Sequence, residues 1–273
     1  MTAGGIPVLK AGGTDALPEP VAAHAAARFS EAGVLVVKNL LTPARIASLH
    51  AAYSERYGEL DHRASGPHIK EVGDRRLMIA LDVADDFASP DIFANPVALS
   101  VVAPLLGDDF ILGSYVAVTS MPGARAQRLH TDQSGLFSDP VAEAALPAHS
   151  VTLVIPLVGL NATTGSTRFF PGSHRDPEYA PDDDGNADGC GGGTAPDLDP
   201  GDAILFDSRI SHGGMANLSA APRPILYCTY HRAWYRDVSN FRDMPPMVID
   251  RAAFERLGAD HKWLMAWIFG EGG

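Results

Sequence analysis

The most chemically informative spacing lies in Gln127-Arg128-Leu129-His130-Thr131-Asp132. In an extended chain, side chains two apart point to the same face, so His130 and Asp132 would lie together. A neutral imidazole nitrogen and a carboxylate oxygen so placed can share one cation. A second imidazole must come from a neighbouring strand. The best placed is His212, in FDSRISHGGMAN, just after the apolar run AILF. Two histidines and one carboxylate occupy one side of a metal and leave the other open. That suits non-haem Fe(II), which must hold a co-substrate and O2 at once. His-x-Asp alone is a common triplet, so its weight comes from its surroundings. Arg223 follows His212 by 11 residues, across the turn NLSAAP, and opens the apolar strand PILYCTY. A guanidinium there can clamp a distal carboxylate with a two-pronged fork that Lys cannot reproduce. Thr167 opens the strand TRFFPGSH and offers a hydroxyl. Gln127 offers an amide to the same anion.

Strands and turns must bring these groups together. From about residue 68 the chain alternates short apolar runs with Gly, Pro and Asp clusters: RRLMIALDV, DDFILGSYVAVTSM, SVTLVIPLVGL, STRFFPGS, DAILFDSRI and PRPILYCTYHRAWY. This is the texture of a β-sandwich or barrel. Helices come before and within it. VAAHAAARFSEAGVLVVKNLL reads as a helix, a Gly33 stop and a strand, and TPARIASLHAAYSERY as a helix capped by Thr42 with Pro43 first inside. Residues 91–106 form a further helix. The Gly- and Pro-rich residues 1–20 read as a loose arm. Residues 176–202 read as a long acidic, Gly-rich loop insert within a single domain spanning 1–273. FERLGADHKWLMAWIFG reads as a final amphipathic helix, with Trp263, Leu264, Trp267 and Ile268 forming a stripe for the core or a homodimer contact.

Composition narrows the function classes. Lys and Arg number 21 against 33 Asp and Glu, and the resulting charge of −12 disfavours a nucleic-acid partner. No apolar run approaches the length of a membrane span. The N-terminus lacks a basic-then-apolar leader, so a cytoplasmic protein is expected. Two cysteines, Cys190 and Cys228, exclude a disulfide framework and a zinc–thiolate site.

The chain resembles the phytanoyl-CoA dioxygenase family of Fe(II)/2-oxoglutarate oxygenases. The resemblance runs through FSEAGVLVVKNLL, QRLHTD, TGSTRFFPGSH and DAILFDSRISHGGMANLSAAPRPILYCTY, across residues 29–230. It implies a mainly β fold, a double-stranded β-helix (jelly roll, cupin-like) with flanking α-helices. It implies that His130, Asp132 and His212 hold Fe(II). It further implies that Arg223 binds the 5-carboxylate of 2-oxoglutarate, with Thr167 and Gln127 as further contacts and O2 as the oxidant. His174, in the family turn PGSH, is expected to be structural. Many relatives carry Ser or Thr two residues after the clamp arginine, where this chain has Ile225. Halogenating relatives carry a small residue where this chain has Asp132, which disfavours halogenation; oxidation of a small organic substrate is expected, hydroxylation first, with desaturation, epimerisation, ring closure and peroxide formation as alternatives.

Further candidates for substrate contact are Phe137 after the metal segment, His68 and Lys70 on an early loop, the strand residue Tyr115, and Arg232 and Trp234 at a strand end. Met78 reads as core. Asp207 is a turn former or an acceptor that orients a ligand imidazole, and Arg209 can pair with it or reach a substrate acid. His24, His50 and His149 read as ordinary helix or surface histidines. Two other readings compete with the oxygenase: a cupin-like metal enzyme that uses no 2-oxoglutarate, and a non-enzymatic jelly-roll binding protein. Arg223 has a task only in the first.

Overall fold

A computed structural model describes residues 2–3, 5–13, 15–133, 135–179, 186–189 and 191–270. In chain order the elements are β1 (Thr2–Ala3), β2 (Ile6–Lys10), α1 (Glu19–Ala32), β3 (Val34–Lys38), α2 (Pro43–Tyr57), β4 (Ile69–Glu71) and β5 (Arg76–Ala80). Then come α3 (Pro90–Phe93), α4 (Pro96–Leu106), β6 (Ile111–Ser120), α5 (Pro140–Ala145), β7 (Ser150–Pro156) and β8 (Thr167–Phe169). The chain continues with β9 (Ala203–Asp207), β10 (His212–Gly214), β11 (Arg223–His231), α6 (Arg251–Arg256) and α7 (Ala259–Lys262).

The larger sheet has nine strands in the order β1-β2-β3-β9-β7-β11-β6-β5-β4. Its central strands are buried on both faces, which explains why they read as nearly continuous apolar runs. One face carries Leu77, Ile79, Tyr115, Ala117, Leu153, Leu226, Cys228 and Tyr230 and packs beneath helices α1, α2 and α4. The helices present their matching stripes: Phe29 from α1, Ile46, Leu49 and Tyr53 from α2, and Val97, Val101 and Leu105 from α4. Gly33 ends α1 at φ 74°, a left-handed position that favours glycine, and Thr42 caps α2 by accepting from the Arg45 N–H.

The opposite face looks onto the small sheet β8–β10. Backbone pairs widen that sheet: His130 with His212, Arg128 with Asn186, and Phe169 with Thr194. The two faces form the jelly roll expected of the sequence. They enclose one wedge in which the site lies.

Three expectations need correction. Residues 6–10 of the N-terminal stretch are a packed strand and not part of a loose arm. Strand β2 runs parallel to β3, with Val8 opposite Val36, and Ile6 is fully buried. The alternation of Ile6 and Val8 is enough to add a strand once β3 offers its edge. The 176–202 insert is anchored along its described parts, since Asn186, Thr194 and Leu198 all make β-bridges and Ala187 is buried. Residues 180–185 and Cys190 lie outside the described residues. Finally, the C-terminal segment is not one helix. Leu257 and Gly258 turn extended, with ψ near 144° at both, and break it into α6, α7 and a 3-10 turn at Ala266–Phe269. Leu264 and Met265 are buried in the core, and the Leu264 carbonyl accepts from Leu112 N–H at 2.9 Å. The apolar stripe is therefore largely spent within the chain. No described helix is long and apolar enough to cross a membrane.

Candidate active site

His130, Asp132 and His212 converge although 82 residues separate the two histidines. The segment 127–132 is not a regular strand. It is held by single β-bridges, with His130 N–H on the His212 carbonyl and the reverse bond, both 2.9 Å. That reciprocal pair places the two rings side by side, with centroids 4.6 Å apart. One Asp132 carboxylate oxygen stands 3.4 Å from His212 Nε2 and 3.8 Å from His130 Nε2.

The rings are aimed. His130 Nδ1 is 2.9 Å from the Arg128 carbonyl, and His212 Nδ1 is 3.0 Å from the Ile210 carbonyl. A carbonyl only accepts, so each Nδ1 carries the proton and each Nε2 lone pair faces the shared centre. Asp207 does not orient His212, contrary to one expectation. It forms a buried fork with Arg209, at 2.8 and 3.0 Å, and Arg209 further holds the Glu143 and Leu146 carbonyls.

Donor separations of 3.4–3.8 Å stand slightly above the roughly 3 Å expected of neighbouring ligands at metal bonds of about 2.1 Å. A divalent ion fits with a small contraction. Electrostatics agree. Burial would raise the Asp132 pKa, but the two imidazoles outweigh it and hold the carboxyl below its ordinary value. Burial also lowers His130 and His212. At His130 burial wins; at His212 the Asp132 carboxylate outweighs it and the imidazole is held above its ordinary value.

The triad opens onto a cavity of about 530 Å³ between the two sheets. Strand register grades its wall. At one end Arg76, Ser120 and Arg223 stand abreast on β5, β6 and β11. Both guanidiniums are buried, and both donate to Ser120 Oγ, at 2.9 Å from Arg76 Nε and 2.6 Å from Arg223 Nη2. Arg76 spends its other donors on the carbonyls of Arg125, Gly214 and Met215. Arg223 Nη1 holds the Gly165 carbonyl, and its Nε has no partner. Among the described residues no carboxylate pairs with either guanidinium. Burial pushes Arg223 down to about 10. A carboxylate ligand would relieve that cost. Next along the wall come Met78 and Val118, then Val116 and Tyr227, then the hydroxyls of Ser114, Thr152 and Thr229. Ile225 is buried in the apolar cluster that contains Val154 and Ile204 and gives no hydroxyl.

Thr167 and Gln127 line the same cavity. Gln127 is less free than its sequence position suggests, since its Oε1 accepts from Gly214 N–H at 2.9 Å and its Nε2 donates to the Val72 carbonyl at 3.2 Å. It staples the cavity wall and keeps one amide hydrogen.

Most substrate-contact expectations do not reach the cavity lining. Phe137 and Trp234 are largely exposed, at 59% and 65%. His68 is exposed, and its backbone carbonyl accepts from Ala80 N–H. Lys70 donates to the Asn240 carbonyl at the rim. Arg232 holds the carbonyls of Ala148 and Leu105. Tyr115 faces the helical side and meets Phe93 edge-on, whereas Met78 faces the cavity. Of these two strand residues only Met78 lines the cavity. His149 is buried, not a surface histidine, and His174 is structural as expected, with Nε2 near the Ser30 carbonyl. Arg76, Tyr227 and Thr229 escaped sequence reasoning. Counting by twos from Arg223 finds the latter two. Gln133, Asp237, Asn240 and Phe241 also line the cavity, but they lie in irregular backbone with no periodic signal.

Comparison with known proteins agrees. The family profile "Phytanoyl-CoA dioxygenase (PhyH)" matches residues 29–225. Dioxygenase trt7 of Aspergillus terreus is 26% identical over 83% of this chain and 79% of its own length. The Fe(II)/2-oxoglutarate-dependent dioxygenase nvfF of Aspergillus novofumigatus is 25% identical over 73% and 70%. Among solved structures, the epimerase SnoN with Fe3+, α-ketoglutarate and nogalamycin RO superposes with a TM-score of 0.58 at 20% identity, covering 81% of this chain and 88% of its own. HygX of Streptomyces hygroscopicus, with nickel, 2-oxoglutarate and hygromycin B, gives 0.60 at 15% identity, covering 83% and 96%. These two share the fold. The triad geometry, the unpaired buried guanidinium and a profile match across most of the chain converge: this chain belongs to the phytanoyl-CoA dioxygenase (PhyH) family and is a dioxygenase dependent on Fe(II) and 2-oxoglutarate.

Proposed function

We propose that His130, Asp132 and His212 hold the ferrous ion, that Arg223 grips the distal carboxylate of 2-oxoglutarate, and that the enzyme hydroxylates an unactivated C–H of a small organic molecule. The observation that carries this reading is the pairing of a three-donor cluster with a buried guanidinium that lacks an anion, in one cavity. When bound, iron and 2-oxoglutarate would activate O2, one oxygen atom going to the substrate C–H and the other into succinate, with release of CO2. The protein contributes position and dryness. Nδ1–carbonyl bonds fix the imidazoles. Arg223 Nη1 on the Gly165 carbonyl and Nη2 on Ser120 Oγ hold the guanidinium in place, and the N–H groups left over, Nε included, are available to a carboxylate. Thr167 and Gln127 add a hydroxyl and an amide N–H on the same wall. Substrate enters between Val72–Gly73, Arg128–Asp132 and Asp237–Phe241, the exposed rim of the cavity. Met78, Val116, Val118 and Phe241 offer it apolar surface, and Ser114, Thr152 and Thr229 offer hydroxyls. That mixture suits an oxygen-bearing carbon skeleton.

The test is succinate and CO2 release from 2-oxoglutarate with Fe(II), screened against such molecules. Thermal stabilisation by Mn(II) plus 2-oxoglutarate gives a readout that needs no substrate. Wild-type protein is expected to show both, and His130→Ala to lose both. Full turnover by His130→Ala removes the proposal.

A further inference from the structure

The three side chains proposed to hold the metal are not oriented alike. Each imidazole is fixed by its own Nδ1–H on the carbonyl two residues before it. The Asp132 carboxylate has no comparable brace: apart from the two imidazoles, no described group hydrogen-bonds to it. Its direction must therefore come from its backbone. Asp132 N–H donates to the Ser208 carbonyl at 2.9 Å, and Gln133 N–H reaches the same carbonyl at 3.3 Å. On the other side the Asp132 carbonyl accepts from Asn240 Nδ2 at 2.8 Å, across 108 residues of sequence.

Asn240 is itself held on every side. The second hydrogen of its Nδ2 goes to Asp237 Oδ2 at 2.8 Å, its N–H to Asp237 Oδ1 at 3.0 Å, and its carbonyl accepts from Lys70 Nζ at 3.4 Å. Both partners of Nδ2 are acceptors, so the position needs two N–H groups on one atom. Among side chains of this size and shape only an amide provides them; the isosteric Asp has none and would face two oxygens. Asp237, Asn240 and Phe241 also line the rim of the cavity. One side chain thus joins the substrate entrance to the backbone of a metal ligand.

We propose that Asn240 is a positioning residue that sets the direction of the Asp132 carboxylate and couples it to the mouth segment Asp237–Phe241. This rests on the reading that the triad binds metal. The experiment is Mn(II) binding followed by electron paramagnetic resonance in wild type, Asn240→Asp and Asn240→Ala, beside the melting temperature of each protein without metal. The expected result is a loss of Mn(II) affinity of about 10–100-fold, the range for outer partners of metal ligands, larger for Asp than for Ala. Metal-free melting temperatures should stay within about 2 °C, because the residue sits partly exposed in a rim loop outside the core. Affinities within about twofold of wild type, or losses accompanied by an equal fall in metal-free stability, overturn the inference. Wild-type protein that binds no Mn(II) overturns the triad reading instead, so the two failures are distinguishable.

Discussion

Replacing Arg223 by leucine should cripple the use of 2-oxoglutarate while leaving the metal in place. The guanidinium has five N–H groups. Nη1 is engaged by the Gly165 and Ser166 carbonyls and Nη2 gives one hydrogen to Ser120, so the Nε hydrogen and one Nη2 hydrogen have no partner among the described residues and can serve a carboxylate. Charge-assisted bonds of that kind contribute about 1.5–3 kcal/mol each, so the fork is worth about 3–6 kcal/mol. That corresponds to roughly 10²–10⁴ in affinity. Arg76 stays behind with its charge, braced on the same serine, so the lower half of that range is expected. Arg223→Lys keeps the charge and loses the fork, and should fall between leucine and wild type. The assay is succinate formation against 2-oxoglutarate concentration at saturating Fe(II), with calorimetric titration of 2-oxoglutarate into the Mn(II)-loaded protein. A monoacid, 2-oxobutyrate, is the control, since it has no distal carboxylate. Wild type should strongly prefer 2-oxoglutarate over it, and Arg223→Leu should barely discriminate. A KM change below about threefold with discrimination intact refutes the clamp.

Other outcomes follow from the same geometry. His231 is buried with neither ring nitrogen partnered, and burial pushes its pKa down to about 3. The unfolded chain then binds the extra proton, so stability present above pH 6.5 is lost as pH falls from there towards 3, at about 1.4 kcal/mol per unit. Urea melts of His231→Phe across pH 4–7 should show a shallower acid limb, and an unchanged slope counts against the burial argument. A Cβ on Gly113 would come within 1.6 Å of the His231 ring, so Gly113→Ala should destabilise by about 1–3 kcal/mol. Adding His231→Ala should recover part of that loss in a double-mutant cycle; strict additivity would contradict the contact. Ile6→Ala should cost about 2–4 kcal/mol if the N-terminal residues are a packed strand, and nothing measurable if they are a free arm.

Much of the site was legible because a few residue types can do this chemistry and sit at tell-tale offsets. His130 and Asp132 two apart, His212 after a strand and Arg223 at the head of the next one needed only the period of a strand and one hairpin. The chain between them did not have to be regular: single β-bridges at His130 and Arg128 do the work of a strand. What stayed hidden was phase and irregular backbone. Alternation marks Tyr115 and Met78 as strand residues but does not say which face is the cavity, so it cannot tell that Met78 lines it and Tyr115 packs beneath the helices. Arg76 hid in the same way, as one of two adjacent arginines opening an apolar run. Asn240, Asp237 and Phe241 belong to a loop whose position is set by tertiary hydrogen bonds, and no local propensity encodes those. Phe137, Trp234 and Arg232 were attractive for their types alone. They turned out to point to solvent or to cap backbone carbonyls.

The register also explains why the cavity has two chemically distinct ends. Arg223, Ile225, Tyr227 and Thr229 share one face of β11, and each meets a like partner across the strand pairs. Ser120 stands beside Arg223, Val118 beside Ile225, Val116 beside Tyr227, and Ser114 with Thr152 beside Thr229. Six residues of strand separate the guanidinium from the hydroxyl layer, a span of about 20 Å at roughly 3.3 Å per residue. Asp132 stands close enough to Tyr227, in the middle layer, for its charge to act on the phenol, while the His212 ring lies 4.9 Å from Phe206 of β9, which sits opposite Thr152 in the hydroxyl layer. A one-residue slip of β11 against β6 would turn Arg223 into the helical core and bring Leu226 and Cys228 into the cavity. The β-bulge at Thr229–Tyr230 lies beyond the last of these layers, so the irregularity falls where it cannot disturb the pairing that sets the site.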